Sequence, residues 1–493
     1  MSVDMLQIPD WSDLGGFLPE TVMFGAFLLA LLGDLVVRRR PVVPFAIVMA
    51  GALTALALSF AGLDAPERTI LGGLVIVDGM AAFFRILFSL IAVVTLLVSW
   101  ASEEIMGRTR ENKGEYYALI ALMTGGMMVM AEARDLLMLY LSLELVSLSS
   151  YVMAGYMRNS LRATEASLKY VIFGAVSSGV MLYGLSLLYG LTGSLTYLGV
   201  RDALAAGAGD PLSLLTVCVL LLAGLGYKIA MVPFHFWAPD VYEGAPTPVS
   251  AFFSVGPKAA GFALMIRFFY TTMQPAVDRV DWRLLIAVLS VATMTYGNLV
   301  AVRQVNVKRL LAYSSIAHAG YLLMGFLMLT AEGLQAILFY LLVYALMNLG
   351  AFLFVVALNN SLKSEHLDDY AGLGFRSPWA AAMMIVFLFS LTGLPPTAGF
   401  IGKFYLFAAV MHEGWYWLAI VGVLNSVVSL FYYMKIARTM YFTKAPADAP
   451  PVPIAPLHYV TLVLLAAPTL FLGLYWGELK DLADRAVQHF TAL

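Results

Sequence analysis

Cysteine and charge are what this sequence has least of. Cys218 is the only cysteine in 493 residues, so the chain forms no internal disulfide and offers no thiolate set for a metal or iron–sulfur centre. Only 12% of the residues are charged, and the formal net charge is -2. Because the sequence has no basic face, nucleic-acid binding is excluded.

The sequence also lacks the motifs of soluble catalysis. It has no paired histidine or cysteine spacing for a metal, no glycine-rich phosphate loop between a strand and a helix, and no nucleophile elbow. Its longest polar connections, residues 359–378 and 443–456, are too short for a nucleotide-binding or catalytic domain. Any chemistry is therefore expected inside the apolar part of the chain.

Long apolar runs make up most of what is present. The chain is 61% hydrophobic with a mean hydropathy of +0.85, well above ordinary soluble domains. About fourteen runs of roughly 20 residues are long enough to cross a bilayer. The sequence predicts one all-α polytopic membrane domain, residues 1–493, with helices near residues 17–37, 43–62, 75–102, 114–130, 133–157, 162–191, 211–236, 247–272, 281–302, 309–329, 332–358, 378–410, 415–440 and 457–477.

An internal repeat organises these helices. Ser149–Tyr156 (SSYVMAGY) and Ser314–Tyr321 (SSIAHAGY) share Ser-Ser-x-x-x-Ala-Gly-Tyr and lie on the fifth and tenth predicted helices. An odd offset of five makes the two copies cross the membrane in opposite senses, as in many transporters. The predicted parts are helices 1–3 in residues 1–113, a five-helix repeat in 114–272, its inverted copy in 281–440, and the last helix with an amphipathic tail in 457–493.

Basic residues are concentrated in alternate loops, which predicts the orientation of the chain. These residues are Arg38, Arg39, Arg40, Arg108, Arg110, Lys113, Arg158, Arg162, Arg303, Lys308, Arg309, Lys363, Arg376, Lys435, Arg438 and Lys444. We expect these loops in the cytoplasm and, with an even helix count, both termini on the periplasmic side. The tail from Glu478 has one apolar face, so it either caps this subunit or contacts a neighbour.

Proline interrupts two of the predicted helices. Pro233 has no N–H and crowds the carbonyl of Ile229, so the seventh helix is predicted to break one residue after Lys228 and to leave free carbonyls beside its ammonium. Pro395 and Pro396 predict a matching break in the twelfth helix. Since transporters place ion sites at broken helices, residues 224–261 are interpreted as the middle of a charge-carrying pathway.

Ionisable side chains lie within the apolar runs, where a charge costs roughly 2.5–3.5 kcal/mol on insertion scales. Those interpreted as functional are Glu144, Lys169, Lys228, His235, Lys258, His318 and Lys403. Asp78 and Arg85, outside the repeats, are interpreted as structural.

Glu144 is the only acidic residue in the interior of its helix, and Lys228 is its expected partner. The alternative is a purely structural ion pair. Histidine exchanges protons near neutral pH, so His235 is expected to relay protons between lysines, whereas for His318 relay and packing are equally favoured. Lys169 is either functional or extends to the cytoplasmic surface.

Three segments carry a family resemblance that covers essentially the whole chain. PFHFWAPDVYEGAPTPVSAFFSVGPKAAG, KRLLAYSSIAHAGYLLMG and LTGLPPTAGFIGKF resemble the subunit N family of bacterial respiratory complex I, the NADH:quinone oxidoreductase. The segment DVYEGAP, together with lysine at position 403, favours subunit N over the related M and L subunits. The resemblance implies a translocase subunit without its own redox cofactor, in which protons move along Glu144, Lys228, Lys258 and Lys403.

The same resemblance implies the surroundings of the chain. Lys169 and His235 match positions on the family's hydrophilic axis, and His318 stands where related subunits have lysine or histidine. NADH, FMN, iron–sulfur clusters and quinone are expected in partner subunits of the inner membrane complex. The expected partners are a small K-type subunit, an M-type antiporter-like subunit and the lateral helix of an L-type subunit. A stand-alone or Mrp-type cation/proton antiporter subunit is the alternative.

Overall fold

The predicted apolar runs form helices in the computed structural model. It describes residues 11–37, 40–64, 66–107, 114–445, 449, 451–488 and 490. Five of the basic residues used to predict the orientation lie outside these ranges, namely Arg38, Arg39, Arg108, Arg110 and Lys113.

The N-terminal part contains a short β-hairpin as well as helices. Its elements are α1 (Trp11–Gly16), α2 (Leu18–Val36), α3 (Val42–Ala61), β1 (Arg68–Ile70), β2 (Val75–Val77), α4 (Gly79–Trp100) and α5 (Glu103–Met106). The prediction that the third helix begins at residue 75 is wrong. Three β-branched residues pair there with β1 in an antiparallel hairpin, and α4 begins only after Asp78, whose carboxylate accepts the N–H of Ala81 at 2.7 Å as an N-cap.

The next part contains the first predicted five-helix unit. Its helices are α6 (Gly114–Glu132), α7 (Leu136–Ala154), α8 (Leu161–Thr192), α9 (Tyr197–Ala205), α10 (Pro211–Ile229), α11 (Trp237–Gly244) and α12 (Thr247–Phe268), with a π turn at Phe269–Met273. The short helix α9 was not predicted. The Thr196 hydroxyl caps it by accepting the N–H of Gly199 at 3.2 Å.

The second predicted unit and the C-terminal part follow. Their helices are α13 (Trp282–Val302), α14 (Val307–Phe326), α15 (Ala331–Leu362), α16 (Leu373–Arg376), α17 (Pro378–Thr392), α18 (Ala398–His412), α19 (Tyr416–Phe442), α20 (Pro456–Leu474) and α21 (Gly477–Gln488). Single 3-10 turns occupy Leu71–Gly73, Gln274–Ala276 and Leu367–Tyr370.

Eleven of the described helices are long and apolar enough to cross a membrane. Adding α6, α14 and the broken pair α17/α18 gives the fourteen spans expected from the sequence. The all-α polytopic membrane fold is thereby confirmed.

Two spans are broken, and each is the fourth span of its predicted unit. In the seventh span, α10 ends at Ile229 and Ala230 takes a left-handed conformation, φ 58°. In the twelfth span, α17 ends at Thr392 and Gly393 takes φ 90°. Each break also contains a cis X–Pro bond, before Pro233 and before Pro396. The predicted breaks are confirmed at both places.

Helices α12 and α15 occupy the centre of the bundle. In the most apolar stretch of each of these helices 100% of the residues are buried, whereas in α2 and α3 about one third or less are buried. A charged side chain on α12 is therefore removed from lipid and from bulk water by protein on every side. Lys258 lies on α12 and is buried in this way.

The C-terminal helix α21 packs against its own subunit. It contacts α4 and α15 and buries Leu479, Ala483, Ala486 and Val487, and Phe490 beyond it is also buried. Its apolar face thus covers α4 and α15, as the first of the two readings of the tail predicts.

Candidate functional site

Three lysines are buried in the helical bundle. Lys228 on α10, Lys258 on α12 and Lys403 on α18 are 1%, 3% and 4% exposed. Their ammonium groups donate to hydroxyl or backbone oxygens, and none of the three forms a salt bridge within the described ranges. Each lysine is therefore a buried base whose charge is not cancelled by a contacting carboxylate.

Lys228 meets the Glu144 helix through a serine. Its Nζ donates to the Ser147 hydroxyl at 3.0 Å, and Ser147 lies one turn beyond Glu144 on α7. Glu144 is half-buried, and its Oε1 has no hydrogen-bond partner among the described residues. Among the described residues Glu144 and Lys228 form no ion pair, and Ser147 is the contact between their two helices.

The carbonyls released by the first break are used by other donors. The Gly226 carbonyl accepts the N–H of Met231 at 2.7 Å, and the Tyr227 carbonyl accepts the indole N–H of Trp237 at 3.0 Å. The expectation that these carbonyls face Lys228 is therefore wrong at this break. Trp237, the first residue of α11, reaches back and satisfies the end of α10.

Gly261 brings the next lysine-bearing helix close to Lys228. A Cβ at Gly261 would lie 2.7 Å from the Ile229 side chain and 3.3 Å from the Lys228 Cγ. The absence of a side chain thus lets α12 approach α10. Lys258 lies one helical turn before Gly261, so the same approach brings the two lysine-bearing turns together.

Lys258 is linked forward to α14. Its Nζ donates to the Ser315 hydroxyl and lies 5.9 Å from the centre of the Tyr242 ring. Ser315 is three residues before His318 on the same helix. Helix α14 therefore presents a hydroxyl to Lys258 and an imidazole one turn further on.

His318 lies between the contacts of the second and third lysines on α14. Its Nδ1 is 2.6 Å from the Tyr340 hydroxyl and its Nε2 is 3.1 Å from the Tyr433 hydroxyl. On the same helix, Lys258 donates to Ser315, three residues before His318, and Lys403 lies 4.6 Å from the centre of the Tyr321 ring, three residues after it. His318, with both ring nitrogens in hydrogen bonds, occupies the position between two lysines that the sequence analysis gave to His235.

Lys403 lies at the second break, where free carbonyls do face an ammonium. Its Nζ donates to the carbonyls of Leu391 and Thr392 at 3.1 and 2.8 Å and to the Ser426 hydroxyl at 3.2 Å. The same Nζ lies 4.6 Å from the centre of the Tyr321 ring. The arrangement predicted for the first break is thus found at the second.

Lys169 and His235 are placed apart from the row of ionisable groups just described, which comprises Glu144, Lys228, Lys258, His318 and Lys403. Lys169 is 37% exposed and pairs with Asp240 at 2.6 Å and Glu165 at 2.9 Å. His235 is buried against the Tyr296 ring, with ring centres 4.4 Å apart, and neither of its nitrogens has a hydrogen-bond partner in the described ranges.

Sequence reasoning identified only some of the polar groups that connect the row. Ser147, Ser315, Tyr340, Tyr433 and Ser426 carry its hydrogen bonds. Ser147 lies on the polar stripe of the Glu144 helix, Tyr340 lies on a polar stripe of its own helix, and Ser315 belongs to the repeated motif that also contains His318. Nothing in the sequence indicated Tyr433 or Ser426.

The arrangement suits proton transfer better than bond chemistry. Burial favours the neutral form of a lysine, and hydrogen bonds favour the charged form, so small shifts in either move a proton. Hydroxyl and imidazole groups both donate and accept hydrogen bonds. The row consists of Glu144, Lys228, Lys258, His318 and Lys403.

Sequence comparison identifies relatives of this chain. The family described as NADH:quinone oxidoreductase/Mrp antiporter matches residues 133–429. NADH-quinone oxidoreductase subunit N 2 of Sorangium cellulosum is 48% identical, with 97% of both chains covered. Subunit N of Chlorobium chlorochromatii is 46% identical, over 97% of this chain and 96% of that one.

Solved structures agree with the sequence relatives. A chain of respiratory complex I from Thermus thermophilus is 32% identical with a TM-score of 0.80, and the match covers 94% of this chain and 99% of that chain. A chain of the Mrp complex from Dietzia sp. has a TM-score of 0.84 over 96% and 97% of the two chains. At 23% identity, the Mrp likeness concerns the fold alone.

Proposed function

Because the chain belongs to the NADH:quinone oxidoreductase/Mrp antiporter family, as a subunit N of the oxidoreductase, we propose that its buried row moves protons while the complex oxidises NADH. The proposal rests chiefly on His318, which lies between Lys258 and Lys403 and hydrogen-bonds at both ring nitrogens. Buried ionisable groups are costly in a membrane, so an idle row of this length would be hard to maintain.

Glu144 sets the charge of the first lysine. Its negative charge favours the ammonium form of Lys228, whereas burial favours the amine. When a change in a neighbouring subunit weakens the attraction of Glu144, Lys228 releases its proton. The close approach of α12 at Gly261 makes Lys258 the nearest acceptor along the row.

The second half of the row continues from Lys258. Its proton passes by way of Ser315 and His318 towards Lys403, with the Tyr340 and Tyr433 hydroxyls able to donate or accept in turn. The Leu391 and Thr392 carbonyls at the second break stabilise the ammonium of Lys403. Lys403 is then the group from which the proton leaves the subunit.

Lys169 has a positioning role in this account. Through Asp240 it links α8 to α11, the second half of the broken seventh span, and Arg309 on α14 binds the same carboxylate at 2.7 Å. These ion pairs hold α11 from two sides. We assign neither Lys169 nor His235 a step in proton transfer.

The rest of the machinery is proposed to lie outside this chain. NADH, FMN, iron–sulfur clusters and quinone would be bound by other subunits, and no redox centre is assigned to this one. The neighbours would be the K-type subunit, the M-type subunit and the lateral helix of the L-type subunit. With the basic loops in the cytoplasm, both termini would be periplasmic.

The alternative function is a stand-alone or Mrp-type cation/proton antiporter subunit. The shared fold favours it, but the Mrp chain is 23% identical whereas the subunit N relatives reach 48%. Sodium- or potassium-driven proton movement in vesicles without NADH would support this alternative.

The Lys258→Met variant tests the proposal. It removes the central proton acceptor but keeps a long apolar stem. NADH-driven proton uptake into membrane vesicles should therefore fall at least about tenfold, since a positioned acid–base group contributes roughly a hundredfold or more. Lys169→Met is the matched control and should retain most uptake, because Arg309 still pairs with Asp240. Uptake unchanged by Lys258→Met, with the subunit present, would refute the route.

A further inference from the structure

Five charged side chains are buried together where α2, α4, α6 and α12 meet. Glu20, Asp78, Arg85, Glu132 and Arg267 are each at most 3% exposed. Arg267 follows Lys258 on α12 by nine residues, which is about 14 Å along the helix axis at roughly 1.5 Å per residue. The cluster is thus separate from the row, and nothing in the proposed proton route uses it.

Asp78 and Arg267 neutralise each other. The Arg267 guanidinium binds the Asp78 carboxylate through both nitrogens of its fork, with Nη2 2.9 Å from Oδ1. Its Nε donates to the Ala131 carbonyl at 3.0 Å. All three nitrogens of the Arg267 guanidinium are thus engaged, and its ion pair in the cluster is with Asp78.

Arg85 alone then faces two carboxyl groups. Its Nε lies 2.7 Å from Glu20 Oε1 and 2.6 Å from Glu132 Oε1. Its Nη2 donates to Glu20 Oε2 and to the Gly16 carbonyl, both at 2.9 Å. Because Nε carries a single hydrogen, two oxygens compete for one donor.

The charges in the cluster do not balance. Three carboxyl groups and two guanidinium groups leave one negative charge in excess, and the outer oxygen of Glu132, Oε2, is buried without a hydrogen-bond partner among the described residues. An uncompensated carboxylate is unfavourable in a protein interior. Two carboxyl groups side by side relieve this by sharing one proton.

We propose that Glu20 and Glu132 form a proton-binding site that holds one exchangeable proton between them against Arg85. The other ionisable groups facing it are Asp78 and Arg267, with Tyr197 on α9 and Asp135 before α7 beyond Arg267. Tyr197 and Asp135 supply no positive charge. Arg68 lies near Gly16, and Arg134 and Arg201 lie on the Arg267 side, but among the described residues none of these arginines forms an ion pair with Glu20 or Glu132.

A narrow crevice reaches the Asp78–Arg267 side of the cluster from the surface of the bundle. Its volume is about 40 Å³, and its lining includes Arg201, Arg134, Tyr197 and the Asp78–Arg267 pair. The Tyr197 hydroxyl is buried there without a hydrogen-bond partner among the described residues. It is placed to pass a proton between the surface and the Arg267 side of the cluster.

Infrared absorption of the purified complex tests the site. The C=O stretch of a protonated carboxyl group, identified by its shift in ²H₂O, should lose one carboxyl equivalent in Glu132→Gln and also in Glu20→Gln. In either variant the remaining glutamate becomes a simple ion-pair partner of Arg85. Glu103→Gln is the matched control and should leave this band unchanged, because Glu103 is exposed and pairs with Lys363 outside the cluster.

Complex assembly gives a second measurement on the same variants. A neutral amide mimics a protonated carboxyl group, so either single variant should assemble and unfold within a few degrees of wild type. The double variant Glu20→Gln/Glu132→Gln strands Arg85 and should unfold at a clearly lower temperature. An unchanged carboxyl band in both single variants, or failure of both to assemble, would overturn the proposal.

Discussion

His318 lies on α14, which packs against both the Lys258 helix α12 and the Lys403 helix α18. From the sequence, His235 lies between two lysines along the chain, whereas His318 has only a nearby serine motif. In the fold, His318 lies between Lys258 and Lys403 and uses both nitrogens, because α14 packs between α12 and α18. The local spacing of residues in the sequence cannot reveal contacts between segments that are distant in the chain.

Replacing each histidine by glutamine separates the two assignments. Glutamine still forms hydrogen bonds but cannot carry a proton as a cation. His318→Gln should lower NADH-driven proton uptake in vesicles by about tenfold or more, while His235→Gln should leave it nearly unchanged. The opposite ranking of the two variants would return the relay role to His235.

The charged residues themselves were easier to predict than their partners. A lysine within an apolar run is easy to recognise in the sequence, because placing its charge in the membrane costs free energy. Their partners are serines, tyrosines and backbone carbonyls, which are common in any membrane helix. The sequence therefore identified Lys228 and Lys403 as functional residues. It did not show that Ser147 and Ser426 accept their hydrogen bonds.

The broken spans are the elements that shape the site. Proline made both breaks predictable, since its ring removes a donor and crowds the preceding turn. The use of the freed carbonyls was not predictable, because it depends on Trp237 turning back at the first break and on the Lys403 stem lying across the second. Similar breaks thus produce different ammonium sites.

Gly393 lies at the break of the twelfth span and allows the role of that break to be tested. It has φ 90°, and an added Cβ would lie 2.8 Å from the Lys403 Cδ. Gly393→Ala should cost roughly 1–3 kcal/mol for the backbone conformation alone, displace Lys403 and lower proton uptake. Thermal unfolding of the purified complex and vesicle uptake both report on this change.

Gly190→Ala is the control for that substitution. Gly190 lies within α8, and a Cβ there would meet nothing within 4 Å. Alanine should be neutral or stabilise the helix by up to about 1 kcal/mol. If Gly393→Ala behaved like this control in both measurements, the second break would not position Lys403.

At the scale of the whole molecule, the sequence predicted the number and order of the spans well. Fourteen apolar runs became fourteen spans because each must satisfy its backbone within itself in lipid. The hairpin β1–β2 and helix α9 were missed, since both are short and lie between spans. Helix α9 depends on local capping by Thr196, and the hairpin ends where Asp78 caps α4. Which spans lie at the centre, α12 and α15, appeared only in the fold.

The central claim is that this subunit couples its buried lysines to NADH oxidation elsewhere in the complex. The most direct test replaces Lys228 by alanine and records NADH-driven quinone reduction and proton uptake in the same vesicles, with the amount of subunit measured in parallel. We expect both activities to fall by about tenfold or more while the subunit remains present. If both rates equalled those of wild type, the row would not be coupled to the redox reaction, and the account would be wrong.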